Sequence, residues 1–218
     1  MPCQTPFRPS RRIVPLGLLS LSLAVLSHAE VSGPVVVLIG APGSGKTTQA
    51  GILSKERGMA IISAADLISR NQQSFAKFKQ PNIQGLEPRV DPALNGLVEE
   101  ALKSINSTSG VLLDGYPAAS NHGAYFFELA KKLNLAKPIV IHLQIPDDVA
   151  RKRLKSRKDS NLEQDLKDYH RELDFAREYF TQVTIHDIDG TKKPAAIAGE
   201  IRAILKNPSA SSTNQPVP

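Results

Sequence analysis

The sequence predicts an α/β fold in which a five-stranded parallel sheet carries helices on both faces. Three observations lead there. Short β-branched runs alternate with longer stretches of helical periodicity along most of the chain, the pattern of strands joined by helical crossovers. The strand-like runs PVVVLIG and PIVIHLQ are close to continuously apolar, as strands covered on both faces must be. The first run passes through a glycine-rich turn into a helix-forming segment, and folds of this class bind ligands at the carboxyl ends of their strands.

The elements follow in order. Pro34 to Gly40 reads as the first buried strand, and Gly45 to Arg57 as a helix stopped by Gly58. Met59 to Ile62 is a second strand, and Ser63 is placed to cap a helix over Ala64 to Arg70. Residues 71 to 89 are polar and irregular, with only weak helical character. A helix opens at Asp91-Pro92, with proline in its first turn, and runs to about Ser104. Val111 to Asp114 is the third strand, Ser120 to Leu133 a helix, and Pro138 to Gln144 the fourth strand. Pro146-Asp147-Asp148 starts another helix with acids at its positive end. Leu162, Leu166, Tyr169, Leu173, Ala176 and Phe180 keep helical spacing across a charged segment. Val183 to Asp187 reads as the fifth strand and Pro194 to Leu205 as the last helix. The end from Asn207 to Pro218 has the composition of a disordered tail.

The 218 residues are 41% hydrophobic and 22% charged, enough for a packed core around one domain, placed here at residues 30 to 206. No repeat of solenoid or propeller length is visible. Cys3 is the only cysteine, which excludes a disulfide framework and a cysteine zinc site. The formal charge is +6, of which the first 29 residues carry three arginines and no acid. The mild basic excess that remains suits a phosphorylated small molecule, and nucleic acid is not expected as a partner.

Those first 29 residues read as a signal peptide: Arg8, Arg11 and Arg12, then the apolar run Ile13 to Ser27, then Ser27-His28-Ala29 with small residues at the cleavage positions. Ser10-Arg11-Arg12 resembles a twin-arginine export signal. The alternatives are an uncleaved anchor and a mis-called start codon, which would leave the protein in the cytoplasm. The apolar run is short for a membrane span, and no stable membrane partner is expected.

Gly40-Ala41-Pro42-Gly43-Ser44-Gly45-Lys46-Thr47 matches the phosphate-binding pattern G-x-x-x-x-G-K-[ST] in full. The spacing serves the chemistry. Glycines let backbone N–H groups turn inward around phosphate oxygens, and the following helix points its positive end at the same anion. The lysine reaches the terminal phosphates, and the hydroxyl of Thr47 is a ligand for Mg²⁺. The strand before and the helix after distinguish this match from a chance glycine turn.

With this loop in place the sequence resembles the adenylate kinase family of nucleoside monophosphate kinases. GAPGSGKTTQA is similar to the family's GxPGxGKGTQ, with Thr48 where glycine is usual. Ile62 to Leu67 resembles ISTGDxLR, Leu112 to Pro117 resembles LLDGFPRT, and Ile145-Pro146-Asp147-Asp148 with Arg153 and Arg157 resembles VPDxxxxxRxxxR. Asp189-Gly190-Thr191-Lys192 resembles the late DGTK. The resemblance spans Val35 to about Leu205 and implies a P-loop kinase fold, a monomer, and transfer of phosphate from ATP to AMP. It implies Mg²⁺ held by Thr47 and Asp114, partly through water. It further implies ATP at residues 40–48, Arg153 beside the ATP base and phosphates, and Arg157 on the transferring phosphate. The Lys192 region would border adenine through its backbone, with a plain turn as the alternative, while Asp66, Val90, Gly115 and His122 would line the monophosphate site. For Arg153 and Arg157 the alternative is a solvated basic face, since Arg151-Lys152-Arg153-Leu154-Lys155-Ser156-Arg157 is basic throughout.

The departures from the family pattern fall on the acceptor side. Ala64, Ala65 and Ser69 replace threonine, glycine and arginine; Ala118 and Ala119 replace arginine and threonine. His122 stands for the glutamine that reads adenine, and Asp165 for an arginine before Leu166. The lid is short, with 11 residues between Arg157 and Tyr169. Phosphoryl transfer depends on charge neutralisation, and one transition-state arginine is worth roughly 10³–10⁵ in rate. Unless Arg70, Arg89, Arg171 or Arg177 substitutes, turnover of AMP is expected to be weak. Three readings therefore stand: a nucleoside monophosphate kinase, a nucleotide-binding protein with little kinase activity, and a small-molecule kinase with a different acceptor. His122, His142, His170 and His186 have no metal-site spacing, and His142 reads as a packed or hydrogen-bonded core residue.

Overall fold

A computed structural model describes residues 31–72, 92–117, 120–155 and 161–208. The N-terminal segment expected to be an export signal, most of the polar 71–89 stretch and the tail from residue 209 lie outside the described residues, as do Arg89, Val90, Ala118, Ala119 and Arg157. Among the described residues are five parallel strands: β1 (Val35–Gly40), β2 (Ala60–Ser63), β3 (Val111–Asp114), β4 (Ile139–Gln144) and β5 (Ile185–Asp189). Their order is β2-β3-β1-β4-β5. The described helices are α1 (Lys46–Arg57), α2 (Ala64–Arg70), α3 (Pro92–Ser104), α4 (Ser120–Lys132), α5 (Asp147–Leu154), α6 (Leu162–Tyr179) and α7 (Pro194–Lys206).

Alternation along β1 divides the core, because successive side chains of a strand point to opposite faces. Val35 and Val37 join Leu113, Val98, Leu102, Phe126 and Phe180 on one face, beneath α3, α4 and the end of α6. Val36 and Leu38 join Leu53, Leu112, Ile141, Ile188, Ile197 and Ile201 on the other, beneath α1 and α7. Burial of both faces explains the unbroken apolar runs. A smaller cluster of Ala41, Ile145, Ala150, Leu166 and Tyr169 seats α5 and α6 at the carboxyl edge of the sheet.

The helix ends are where the sequence signals put them. Gly58 takes φ 69° and closes α1 by donating its N–H to the Ser54 carbonyl, a left-handed stop that glycine adopts without steric cost. The Ser63 hydroxyl accepts from the Asp66 N–H at 3.3 Å and caps α2. The fifth strand departs from the sequence expectation of Val183 to Asp187. Phe180–Gln182 forms a 3₁₀ turn, closed by the Val183 N–H donating to the Phe180 carbonyl at 2.9 Å. The strand consequently begins at Ile185, and its ladder with β4 runs from Val140↔Ile185 to Gln144↔Asp189.

Register aligns the strand ends that matter. Ser63 and Leu38 both lie level with Asp114, Gly40 with Leu143, and Gln144 with Asp189. β1 pairs with β3 on one side and β4 on the other, so the connections diverge at its carboxyl end. That is the switch point at which doubly wound sheets open a crevice.

Candidate active site

The loop after β1 is folded as its sequence demands. Gly43 and Gly45 take φ of 78° and 100°, a left-handed conformation that side chains resist. This winds the loop back over the start of α1, whose free N–H groups point into it. The Lys46 ammonium lies inside the loop and donates to the carbonyls of Gly40 at 2.6 Å and Ala41 at 3.1 Å. Burial lowers its pKa, and the carboxylates of Asp114 and Glu172 oppose that shift. Ser44 is buried, with its hydroxyl unpaired among the described residues. Thr48 faces solvent.

Asp114 ends β3, and its carboxylate accepts from the Thr47 hydroxyl at 2.7 Å. Two hard oxygen donors side by side fit Mg²⁺, which takes one or two protein oxygens and keeps several waters. Among the described residues no three His, Cys, Asp or Glu side chains are grouped to hold a metal ion, so a transition-metal cage has no support there.

Two further segments named from the sequence reach the loop. Arg153 on α5 donates to the Gly43 carbonyl at 3.0 Å. Gly190 follows β5 and donates its N–H to the Gln144 carbonyl at 2.8 Å. A Cβ on Gly190 would sit 2.8 Å from the Ile145 side chain and 3.2 Å from the Gln144 and Ser44 carbonyls, so this segment packs directly on the phosphate loop. The Lys192 side chain points elsewhere, pairing with Glu200 at 2.8 Å on the surface.

A cavity of about 410 Å³ opens beside the loop. Gly40, Pro42 and Lys46 form its floor, Ala64, Ala65 and Ile68 of α2 one side, Gly115 and Pro117 the rim, and α6 the opposite wall. Gly115 is thus brought to the site. Asp66 is not: it lines a separate groove with Arg70, Ala101 and Ser104. His122 is buried at 2% exposure against Tyr116, ring centroids 5.0 Å apart, and is not among the cavity's lining residues. Burial pushes its pKa down to about 4, so it is neutral at pH 7.

The α6 wall holds residues that the sequence reading did not single out. Asp168 and Glu172 face the cavity together with Asp165. Burial, helped by Asp168, raises the Glu172 pKa to about 7, against the pull of Lys46 and Arg171. The i, i+3, i+7 spacing of these acids was visible in the sequence and places them on one helical face. Behind the wall, His142 Nδ1 meets Asp187 at 2.6 Å and His142 Nε2 meets the Tyr169 hydroxyl at 2.7 Å. A carboxylate only accepts, so Nδ1–H donates to Asp187, and the other ring nitrogen shares a hydrogen bond with the Tyr169 hydroxyl. This buried chain ties β5, β4 and α6 together. Of the arginines that could serve the acceptor side, Arg171 is held by Asp168 at 2.7 Å, Arg70 lines the separate groove, and Arg177 is exposed.

Strand order, phosphate loop and the Thr47–Asp114 pair are those of the P-loop kinase fold. The family model of adenylate kinases matches residues 38–185. The chain is 30% identical over 183 residues to adenylate kinase 1 of Synechocystis sp., covering 78% of this chain and 96% of that protein. It is 33% identical over 125 residues to adenylate kinase 1 of Nostoc sp., covering 56% of this chain and 68% of that protein. Against the adenylate kinase of Mycolicibacterium vanbaalenii it is 32% identical over 131 residues, 56% of this chain and 69% of that protein. The chain belongs to the adenylate kinase family, whose reaction is the phosphorylation of a nucleoside monophosphate. No helix among the described residues is long and apolar enough to cross a membrane.

Proposed function

We propose that this chain binds Mg²⁺-ATP at the phosphate loop and transfers its γ-phosphoryl group to a nucleoside monophosphate, with AMP a poor acceptor. The observation that carries the donor half is Lys46 folded into its own loop beside the Thr47–Asp114 pair. On binding, the Lys46 ammonium exchanges the Gly40 and Ala41 carbonyls for phosphate oxygens. Thr47 and Asp114 would hold Mg²⁺, which would supply charge neutralisation during phosphoryl transfer. Arg153, anchored on the loop carbonyl of Gly43, flanks the donor, and Arg157 is assigned to the transferring phosphate. An acceptor oxygen attacks the γ-phosphorus as its bond to the β-bridging oxygen breaks, with no covalent enzyme intermediate.

The poverty of AMP as acceptor rests on Ser69, Ala118 and Asp165 standing where the family resemblance places arginines. Thermal melts of the full chain with Mg²⁺-ATP test the donor half: wild type should be stabilised and Lys46→Ala should not. A wild type indifferent to millimolar ATP refutes it. In a coupled assay, kcat/KM for AMP at or above about 10⁴ M⁻¹s⁻¹, an ordinary enzyme's value, would show that the acceptor side is intact.

A further inference from the structure

His142 is a polar ring in an apolar place. It lies on β4 at 1% exposure, level with Ile39 of β1 and Asp187 of β5. Val140, two residues earlier on the same face, belongs to the apolar core beneath α3, α4 and α6. An imidazole buried there costs free energy unless its nitrogens are hydrogen-bonded, and both are, to Asp187 at 2.6 Å and to the Tyr169 hydroxyl at 2.7 Å. The bond from His142 holds the Asp187 carboxyl below its ordinary range, against the opposing effect of burial. Hydrogen bonds are directional, and a buried network with every member satisfied fixes one arrangement where apolar contact alone tolerates several.

The helix fixed in this way shapes the site. Asp165, Asp168, Tyr169, Glu172 and Leu173 of α6 all line the cavity. Tyr169 also packs in one cluster with Ala41 of the phosphate loop, whose carbonyl accepts from Lys46. Side chains reach about 5 Å from a helix axis, so turning α6 by about 10° would move its lining atoms by about 1 Å. A misplacement of that size lowers a rate by on the order of 10²-fold. We propose that His142 is a positioning residue for phosphoryl transfer: anchored by Asp187, it holds Tyr169 and thereby sets the rotation of α6 against the phosphate loop. His142 is not among the described lining residues, and it acts through the Tyr169 hydroxyl. The inference rests on the proposed transfer from ATP to a nucleoside monophosphate.

The test separates the two ring nitrogens. In His142→Asn the amide takes the place of Nδ1 and keeps Asp187; in His142→Gln it takes the place of Nε2 and keeps Tyr169. Tyr169→Phe removes the hydroxyl and leaves the ring. Each full-length variant is melted, titrated calorimetrically with Mg²⁺-ATP, and assayed for transfer from ATP to AMP, CMP, GMP and UMP. His142→Asn and Tyr169→Phe should each lower kcat for the best acceptor at least about tenfold, while the Kd for Mg²⁺-ATP stays within about threefold. His142→Gln should recover most of that loss. Tyr169→Phe added to His142→Asn should lower kcat little further, because both break the same bond. If His142→Asn does not fold, Tyr169→Phe carries the test. Lower melting temperatures with kcat unmoved, or a kcat that falls equally in the Asn and Gln variants, overturn the inference alone. A wild type that binds Mg²⁺-ATP and phosphorylates none of the four acceptors refutes the proposed function, and this inference with it.

Discussion

Glu172→Gln should make the protein more stable in alkali than the wild type, by an amount set by the wall it belongs to. Glu172 is half-buried in α6, and burial with Asp168 raises its pKa from an ordinary 4.5 to about 7. A carboxyl with a raised folded pKa holds its proton longer in the folded than in the unfolded chain. Stability must then fall as pH rises through the window between 4.5 and about 7. At 1.36 kcal/mol per pH unit of difference, the wild type should lose about 2–3 kcal/mol from this group between pH 5 and pH 8. The glutamine variant loses none of it, and ionisations not coupled to Glu172 cancel in the comparison. For a domain of this size that corresponds to roughly 4–10 °C in melting temperature. Melts of both proteins at half-unit intervals from pH 4.5 to 8.5 measure it directly. Parallel curves would refute the reasoning and mean that Glu172 is solvated or paired in solution.

Two further outcomes follow from the geometry. Gly190→Ala should cost about 1–3 kcal/mol and weaken ATP binding together, since the added methyl presses on Ile145 and on the Ser44 and Gln144 carbonyls; a melt paired with an ATP titration separates this from a neutral change. Ser69→Arg with Ala118→Arg should raise kcat/KM for AMP at least about tenfold, because each charge-assisted contact to phosphate is worth about 1.5–3 kcal/mol, and steady-state kinetics on the double variant decide it.

The donor half was legible in the sequence because it is local. A strand, eight consecutive loop residues and a helix start suffice to write it, and the structure places Lys46 and Thr47 as the spacing requires. Asp114 and Arg153 were legible through motif resemblance, and each touches the donor loop or its threonine. The fifth strand slipped by two residues because the 3₁₀ turn at Phe180–Gln182 is set by tertiary packing of Phe180 under α4, which periodicity does not encode. Of the acids on the α6 wall only Asp165 was legible, and Asp168 and Glu172 went unread for another reason. They look like ordinary solvated charges until the fold lays that face over the cavity, and only then does exposure turn into repulsion. The Asp187–His142–Tyr169 chain joins residues 18 to 45 positions apart and leaves no mark at short range.

That chain gives α6 two lives. Its inner face, with Leu166, Ala176 and the tethered Tyr169, is locked to the sheet, while its upper face meets only whatever enters the cavity. Substitutions at 165, 168 and 172 can accordingly drift without loosening the scaffold, and of the three only Glu172 also acts on the Lys46 charge in the loop. Of the described walls of the cavity, this face is the one that variation can repaint at least cost to the fold that carries it.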